Sequence, residues 1–402
     1  MAHIAWLGKK SPFCGNVTYG LSTTESLRRR GHTVHFIHFD TPAAPLASPE
    51  TAAPEAVALA KAGAGPVEPE TEPEVTLPYL VKSQVYTIPS PGAQRELRES
   101  LERLRPDLVH ASLTLSPLDF RLPDLCQQLG LPLVATFHPA FDAGLRNLTA
   151  GTQQLTYQLY APSLARYDRV IVFSELQADV LERLGVRRER LAVIPNGVDT
   201  DLWSPPPRSP GPVLADLRRR FAGRRVFLYM GRITSEKNLE ALLRAWRLVR
   251  PAGCVLLIVG DGPLRPSLQQ AGESDVEWWG YEGSLETRIA LLQLAEVFLL
   301  PSLVEGLSLA LLEAMAAGAA CVATDAGADG EVLEGGAGIV ISTQGVTTQL
   351  RTLLPVLRDQ PVLSAELGRR ARARAIERYT LTRNIDALER LYAELVPEPL
   401  AA

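Results

Sequence analysis

The chain has 402 residues, 46% of them hydrophobic and 21% charged, with a formal net charge of −4. That length suits two domains of about 200 residues each, the composition excludes a disordered chain, and the charge gives no global basic field for nucleic acid. Its apolar runs are strand-sized, far short of the roughly 20 residues a membrane-crossing helix needs. No basic-then-apolar export pattern opens the chain. Cys14, Cys126, Cys254 and Cys321 lack CxxC spacing, so a reducing cytoplasm is the expected compartment.

In chain order, an apolar strand at His3–Leu7 runs into a loop with Gly8 and Gly15, a helix to Arg30, a stop at Gly31 and a strand at Thr33–Phe39. This is a βαβ unit, which calls for a parallel sheet and a right-handed crossover. Residues 41–76, rich in Ala, Pro, Glu and Gly without an apolar period, read as an inserted loop. Further strands are expected at Leu108–Ala111, Leu133–Phe137, Arg169–Phe173 and Ala192–Ile194, with helices around Leu97, Leu125, Leu159 and Leu181.

SPPPRSPGP at Ser204–Pro212 sustains neither a helix nor a central strand, and 204–224 is assigned as a linker between domains 1–203 and 225–380. Beyond it, strands are expected at Val226–Met230, Val255–Val259, Val276–Trp278, Val297–Leu300, Cys321–Thr324 and Gly338–Ile341. Helices are expected at Leu239–Val249, around Leu268, at Leu285–Ala295 and at Leu307–Ala317. The tail Val346–Leu395 reads as helical, with 381–402 expected to pack back on the first domain. Two doubly wound halves then face one cleft with the carboxyl ends of their sheets.

The strongest chemical pattern is VEGLSLALLEAMAAG, Val304–Gly318. Glu305 stands at a helix entrance and Glu313 about two turns on; each carboxylate can accept two hydrogen bonds, which suits vicinal hydroxyls. The amides of Gly306, Leu307, Ser308 and Leu309 open a helix whose N-terminus favours phosphate. The plainer reading of the two glutamates is a capped amphipathic helix with solvated acids. In MGRITSEKN, Arg232 and Lys237 leave the sheet edge where they can neutralise a diphosphate leaving group. In VGDGP, Gly260 and Gly262 permit a flat base to approach the backbone. His138 of ATFHP ends a strand at the cleft edge, and Gly15 and Asn16 place amides in the first loop. PNGVD, Pro195–Asp199, reads as structural. Asp199 and Asp201 match a metal-binding DxD pattern only superficially, because they lead into the linker. His3, His32, His35 and His38 show no ligand spacing, so no metal is assigned.

Taken together, Arg232 and Lys237, the Glu305/Glu313 pair, VGDGP, PNGVD and His138 resemble glycosyltransferase family 4, over nearly the whole chain and in the family's order. The resemblance implies the GT-B fold, an N-terminal acceptor-binding domain, a C-terminal nucleotide-sugar domain, and transfer with retention of anomeric configuration. It also implies no cofactor beyond a UDP-sugar donor substrate and no metal. Arg232 and Lys237 would hold the diphosphate, Glu305 the donor sugar, Glu313 the ribose and His138 the sugar's 6-hydroxyl. Cys14–Asn16 stand where many relatives carry a Gly-Gly pair, which makes the acceptor side less secure.

GKKSPFCGNVTY, HASLTLSPLDF, GTQQLTYQLYAP and PSLVEGLSLALLEAM are further similar to the cyanobacterial digalactosyldiacylglycerol synthases. That likeness implies galactose moved from UDP-galactose to monogalactosyldiacylglycerol. The apolar Leu145–Leu164 and the basic Arg28–Arg30 would then touch an anionic bilayer as a peripheral contact on the cytoplasmic face. The alternatives are a family 4 transferase acting on a polysaccharide or soluble acceptor, a non-catalytic sugar-nucleotide-binding protein and an epimerase.

Overall fold

A computed structural model of the chain describes residues 1–11, 14–40, 74–83, 86–141, 148–269 and 273–396. The first half contains strands β1 (His3–Gly8), β2 (Thr33–Phe39), β3 (Glu74–Leu77), β6 (Leu108–Ser112), β7 (Leu133–Thr136), β8 (Arg169–Val172) and β9 (Leu191–Val193), with β4 (Tyr79–Lys82) and β5 (Thr87–Pro89) as a separate hairpin. The seven strands form one parallel sheet in the order β3-β2-β1-β6-β7-β8-β9. The second half contributes β10 (Arg225–Met230), β11 (Cys254–Val259), β12 (Val276–Gly280), β13 (Val297–Leu300), β14 (Ala320–Thr324) and β15 (Ile339–Ile341). These pair in parallel in the order β12-β11-β10-β13-β14-β15. All six residues of β11 are buried, as expected of a strand covered by helices on both faces.

The two sheets are the two-domain GT-B fold, and several local departures from the sequence reading have physical causes. Glu74–Thr76, assigned to the insertion, instead extend the sheet: Val75 and Leu77 are buried while Glu74 and Thr76 point outward. The rest of the insertion, 41–73, lies outside the described residues. Pro212–Arg220 is a helix rather than linker, with Pro212 in its first turn, where the missing N–H costs nothing. Leu214 and Leu217 are buried, and the helix packs on helix Leu285–Leu294. The irregular connection is therefore only 204–211. The tail is three helices, Val346–Asp359, Pro361–Arg378 and Leu381–Leu395.

Helix Leu381–Leu395 lies against the first half. Arg30 pairs with Asp386 and Glu389 at 2.5 and 2.6 Å, and the Tyr392 hydroxyl meets His110 Nδ1 at 2.5 Å. In the Arg28–Arg30 run, expected to meet a bilayer, the side chains have partners within the chain. Arg28 donates to the Val34 carbonyl, Arg29 pairs with Glu25, and Arg30 is held by the two acids of the last helix. In helix Leu148–Leu164, Tyr157 and Tyr160 are core residues, whereas Leu155 and Leu159 are 65% and 63% exposed.

Gly260 and Gly262 also depart from expectation. Gly260 has φ +136°, and a Cβ there would lie 1.9 Å from the Gly231 carbonyl oxygen; one on Gly262 would lie 2.3 Å from that of Ile233. The backbone that needs this space is the chain's own loop after β10. Gly260→Ala should therefore destabilise the second domain by at least about 3 kcal/mol, read as a lower midpoint in urea unfolding.

Candidate active site

The loop after β10 is pinned to the end of β13. A turn at Ser235–Lys237 ends in Asn238 at φ 53°, and the Asn238 amide donates to the Pro301 carbonyl at 3.1 Å. Leu303 N donates to the Glu236 carbonyl at 2.8 Å. This stitching sets Lys237 against Glu305, whose side chains are 16% and 10% exposed and form an ion pair. Ser302 Oγ donates to the same carboxylate at 2.8 Å, and Thr324 at the end of β14 anchors the Ser302 carbonyl at 2.6 Å. Arg232 stands farther out, 44% exposed, and pairs with Glu236 at 3.2 Å.

Both halves grip the segment 305–308. From the first half, Phe141 N donates to the Glu305 carbonyl at 2.8 Å and Asn196 Nδ2 to the Leu307 carbonyl at 3.0 Å. The carbonyl of His138 lies 3.1 Å from where a Gly306 Cβ would stand. From the second half, Ala328 N donates to the Gly306 carbonyl at 2.9 Å, and Gly327, at φ 57°, packs so closely that a Cβ would lie 2.0 Å from the Glu305 oxygen. Ser308 caps helix Leu309–Ala317 by accepting from Leu311 N. The Ser308 amide itself donates to Asp329 Oδ1 at 2.9 Å, so of the four amides expected to meet phosphate, this one is already committed.

Asp329 was not singled out from sequence, although its acid in the Gly/Ala run after β14 was a readable signal. It is fully buried, and Oδ2 has no partner among the described residues. Burial, reinforced by the nearby Glu305 charge, pushes its carboxyl well above the usual range. Glu331, two residues on, stands near the first turn of helix Glu175–Arg183 of the first half; burial raises its pKa, and the backbone of Glu175 and Leu176 opposes that shift. Glu313 is buried and held by Arg288 at 3.3 and 3.4 Å. Burial raises its pKa and Arg288 opposes that shift; the guanidinium stacks over Trp203 at 5.3 Å. Nothing in the sequence pattern singled out Arg288.

His138 packs against the rings of Tyr19 and Phe173 at 5.0 and 5.3 Å. Burial and the Lys9 charge push its pKa down to about 3. Gly15 is the first residue of helix Gly15–Arg29, and Asn16 turns its side chain toward β6, donating to the Leu113 carbonyl at 3.0 Å. The structure thus brings Lys237, Glu305, Gly306, Leu307, Ser308 and His138 together at the seam. Gly260 and Gly262 support the loop behind them. Asp199 closes a turn by accepting from Asp201 N and Leu202 N at 3.1 and 3.0 Å. Among the described residues no group of three His, Cys, Asp or Glu is placed to hold a metal ion, and no helix is long and apolar enough to cross a membrane.

The sequence profile described as Glycosyltransferase Family 4 matches residues 15–202, and the one described as Glycosyl transferases group 1 matches 224–359. The chain belongs to glycosyltransferase family 4. Among curated relatives, it is 25% identical over 248 residues to the UDP-Gal:α-D-GlcNAc-diphosphoundecaprenol α-1,3-galactosyltransferase of Escherichia coli, 57% of this chain and 58% of that one. It is 30% identical over 251 residues to the α-maltose-1-phosphate synthase of Mycolicibacterium smegmatis, 57% of this chain and 64% of that one. The chain thus spans less than two thirds of either relative. Among solved structures, Anabaena HepE in complex with UDP-glucose superposes with a TM-score of 0.73 at 18% identity, covering 98% of this chain and 100% of that one; at that identity the likeness shows the shared fold.

Asp329 provides a direct check on the electrostatics of this seam. A carboxyl whose pKa is raised on folding binds more protons folded than unfolded, so its contribution to stability falls as pH rises through the ordinary carboxyl value of about 4. Asp329→Asn keeps the acceptor for Ser308 N and removes the ionisation. Its melting temperature should exceed that of wild type at neutral pH, and the gap should close toward pH 4.

Proposed function

We propose that the protein is a retaining hexosyltransferase that moves a hexose, galactose from UDP-galactose, onto a glycolipid acceptor, monogalactosyldiacylglycerol, without a bound metal. The observation that carries the transferase reading is the Lys237–Glu305 pair at the domain seam, beside the entrance to helix Leu309–Ala317. As the sugar departs, charge grows on the diphosphate. An ammonium, the Arg232 guanidinium and the remaining helix amides can stabilise it in a site shielded from water. Glu305, with one oxygen already occupied by Ser302 and Lys237, then orients the sugar through its second oxygen. Glu313, held by Arg288, is assigned to the ribose. In this reading cationic side chains supply what a divalent ion supplies in DxD enzymes. A non-catalytic or epimerase role fits less well, because the leaving-group cations are present.

The lipid acceptor rests on the likeness to galactolipid synthases, and the E. coli relative is itself named for UDP-galactose and a diphosphoundecaprenol-linked acceptor. The surface assigned to the bilayer is not the Arg28–Arg30 cluster, in which Arg30 is held by two acids of the last helix. It is apolar: Leu155 and Leu159 on one face of their helix, and the exposed Leu80, Val81, Tyr86 and Ile88 of the β4-β5 hairpin. The second reading, a polysaccharide or soluble acceptor, is favoured by the likeness to α-maltose-1-phosphate synthase.

The test offers purified protein a panel of labelled UDP- and GDP-sugars with galactolipid micelles or soluble glycosides, in excess chelator. The expected result is a galactolipid carrying an added α-galactose at undiminished rate, with Lys237→Ala slower by on the order of 100-fold. Recovery of lost activity by added manganese would overturn metal independence. Equal transfer to soluble glycosides without lipid would overturn the lipid acceptor, and unchanged turnover in Lys237→Ala would remove the leaving-group role.

A further inference from the structure

Strands β1, β6 and β7 are neighbours in the first sheet, so the residues that follow their carboxyl ends stand in a row, about 4.8 Å from strand to strand. In that row lie Asn16, just inside the helix after β1, Ser112, the last residue of β6, and His138, two residues beyond β7. Their side chains form a continuous hydrogen-bonded chain whose polarity is fixed at one end. The Leu113 carbonyl can only accept, so the Asn16 amide nitrogen must face it, at 3.0 Å. Asn16 Oδ1 is thereby turned to Ser112 and takes its hydroxyl proton at 2.8 Å. Having spent its single proton, the Ser112 oxygen can only accept from His138 Nε2, at 2.8 Å. His138 Nε2 must therefore carry the ring proton, which leaves Nδ1 with its lone pair. Among the described residues Nδ1 has no hydrogen-bond donor, while the backbone of the same residue abuts Gly306 at the seam.

We propose that Asn16 and Ser112 are positioning residues that lock His138 as its Nε2–H tautomer, making Nδ1 an acceptor that selects a donor sugar presenting a hydroxyl to it. The inference rests on the hexosyltransferase reading and refines which sugars the site takes. A hydroxyl donates to Nδ1. A carboxylate at the same carbon meets lone pair with lone pair, and a deoxy position leaves a polar atom unpaired in a shielded place. The low pKa of His138 keeps this polarity constant across the physiological range, because the ring does not gain the second proton that would turn Nδ1 into a donor. The Lys9 ammonium disfavours that proton further.

The experiment has two arms. In the first, the ring nitrogens of the histidine-labelled protein are followed by 15N NMR from about pH 5 to 8, with His138 assigned by its loss in His138→Gln. The expected spectrum shows a protonated Nε2 and a bare Nδ1 that do not titrate, whereas Ser112→Ala and Asn16→Ala shift the signals toward a tautomer mixture and Ser112→Thr restores them. A protonated Nδ1, or a ring that takes up a second proton in this range, overturns the proposal whatever reaction the protein catalyses.

In the second arm, kcat/KM is measured with the transferred sugar, its monodeoxy analogues and its uronic acid counterpart. Wild type should lose about tenfold at one hydroxyl position, the magnitude of one neutral hydrogen bond. Ser112→Ala should shrink that ratio toward one, and Ser112→Thr should recover it. If Ser112→Ala slows every donor equally, or no single hydroxyl matters in wild type, the selection role falls. Asn16→Ala, changed at the partly exposed end of the chain, gives the same readout should Ser112→Ala not fold. Should no nucleotide sugar serve as donor, the hexosyltransferase reading and with it the selection role fall, and the NMR arm still decides the tautomer lock.

Discussion

The ion pair between Lys237 and Glu305 is the interaction around which the seam is arranged. Two charges drawn this far from water, 16% and 10% exposed, are a poor source of stability, because desolvation offsets most of their attraction. Hydrophobic residues of the same volume would hold the two loops together as well. What the pair provides is a cation and a carboxylate kept at fixed positions, each neutralising the other. Much of the surrounding structure serves to fix them: the Asn238 turn, the Glu236–Leu303 hydrogen bond, the Ser302–Thr324 anchor and Gly327 pressed on the Glu305 carbonyl.

Phe141 and Asn196 hydrogen-bond the carbonyls on either side of the Glu305–Leu307 turn. These are polar contacts at a seam, weaker and more easily exchanged than a shared core. Helix Leu381–Leu395 supplies the permanent tie, because it leaves the second domain and buries Ile385, Leu388, Leu391 and Tyr392 where Arg30, His110 and Arg169 of the first domain meet it. Domain motion about such a helix is compatible with a seam that opens and closes on a substrate. The carboxyl of Asp329 lies in the same seam, where burial and the nearby Glu305 charge favour its neutral form.

The fold was largely legible because parallel strands buried on both faces are continuous apolar runs, and those of β10, β11 and β13 punctuate the second half clearly. The short edge pieces were not: β3 hides at the end of a compositionally biased insertion, and β4 and β5 carry no core-facing alternation. Helix Pro212–Arg220 was masked by the prolines that begin it. At the site, Glu305, Lys237 and His138 were readable from residue type at strand ends. Arg288 and Ser112 were not, because their roles depend on which strand ends are neighbours, a matter of sheet order rather than sequence spacing. Gly260 and Gly262 were read as openings for a base, whereas the close approach they permit is that of the chain's own backbone. In the Arg28–Arg30 run, the acidic partners of Arg30, some 350 residues away, were out of sight in the sequence.

The claim that Lys237 and Glu305 form a donor diphosphate site is tested most directly by the equilibrium affinity for UDP, with no sugar and no turnover involved. Removing the glutamate's charge frees the lysine and lessens the negative field that a diphosphate meets, so Glu305→Gln should bind UDP more tightly than wild type, by roughly three- to tenfold, and less so at high salt. Lys237→Ala should bind it more weakly by at least tenfold. If titration calorimetry gives the same UDP affinity for wild type and both variants, the pair is a structural bridge between two loops and the diphosphate site lies elsewhere.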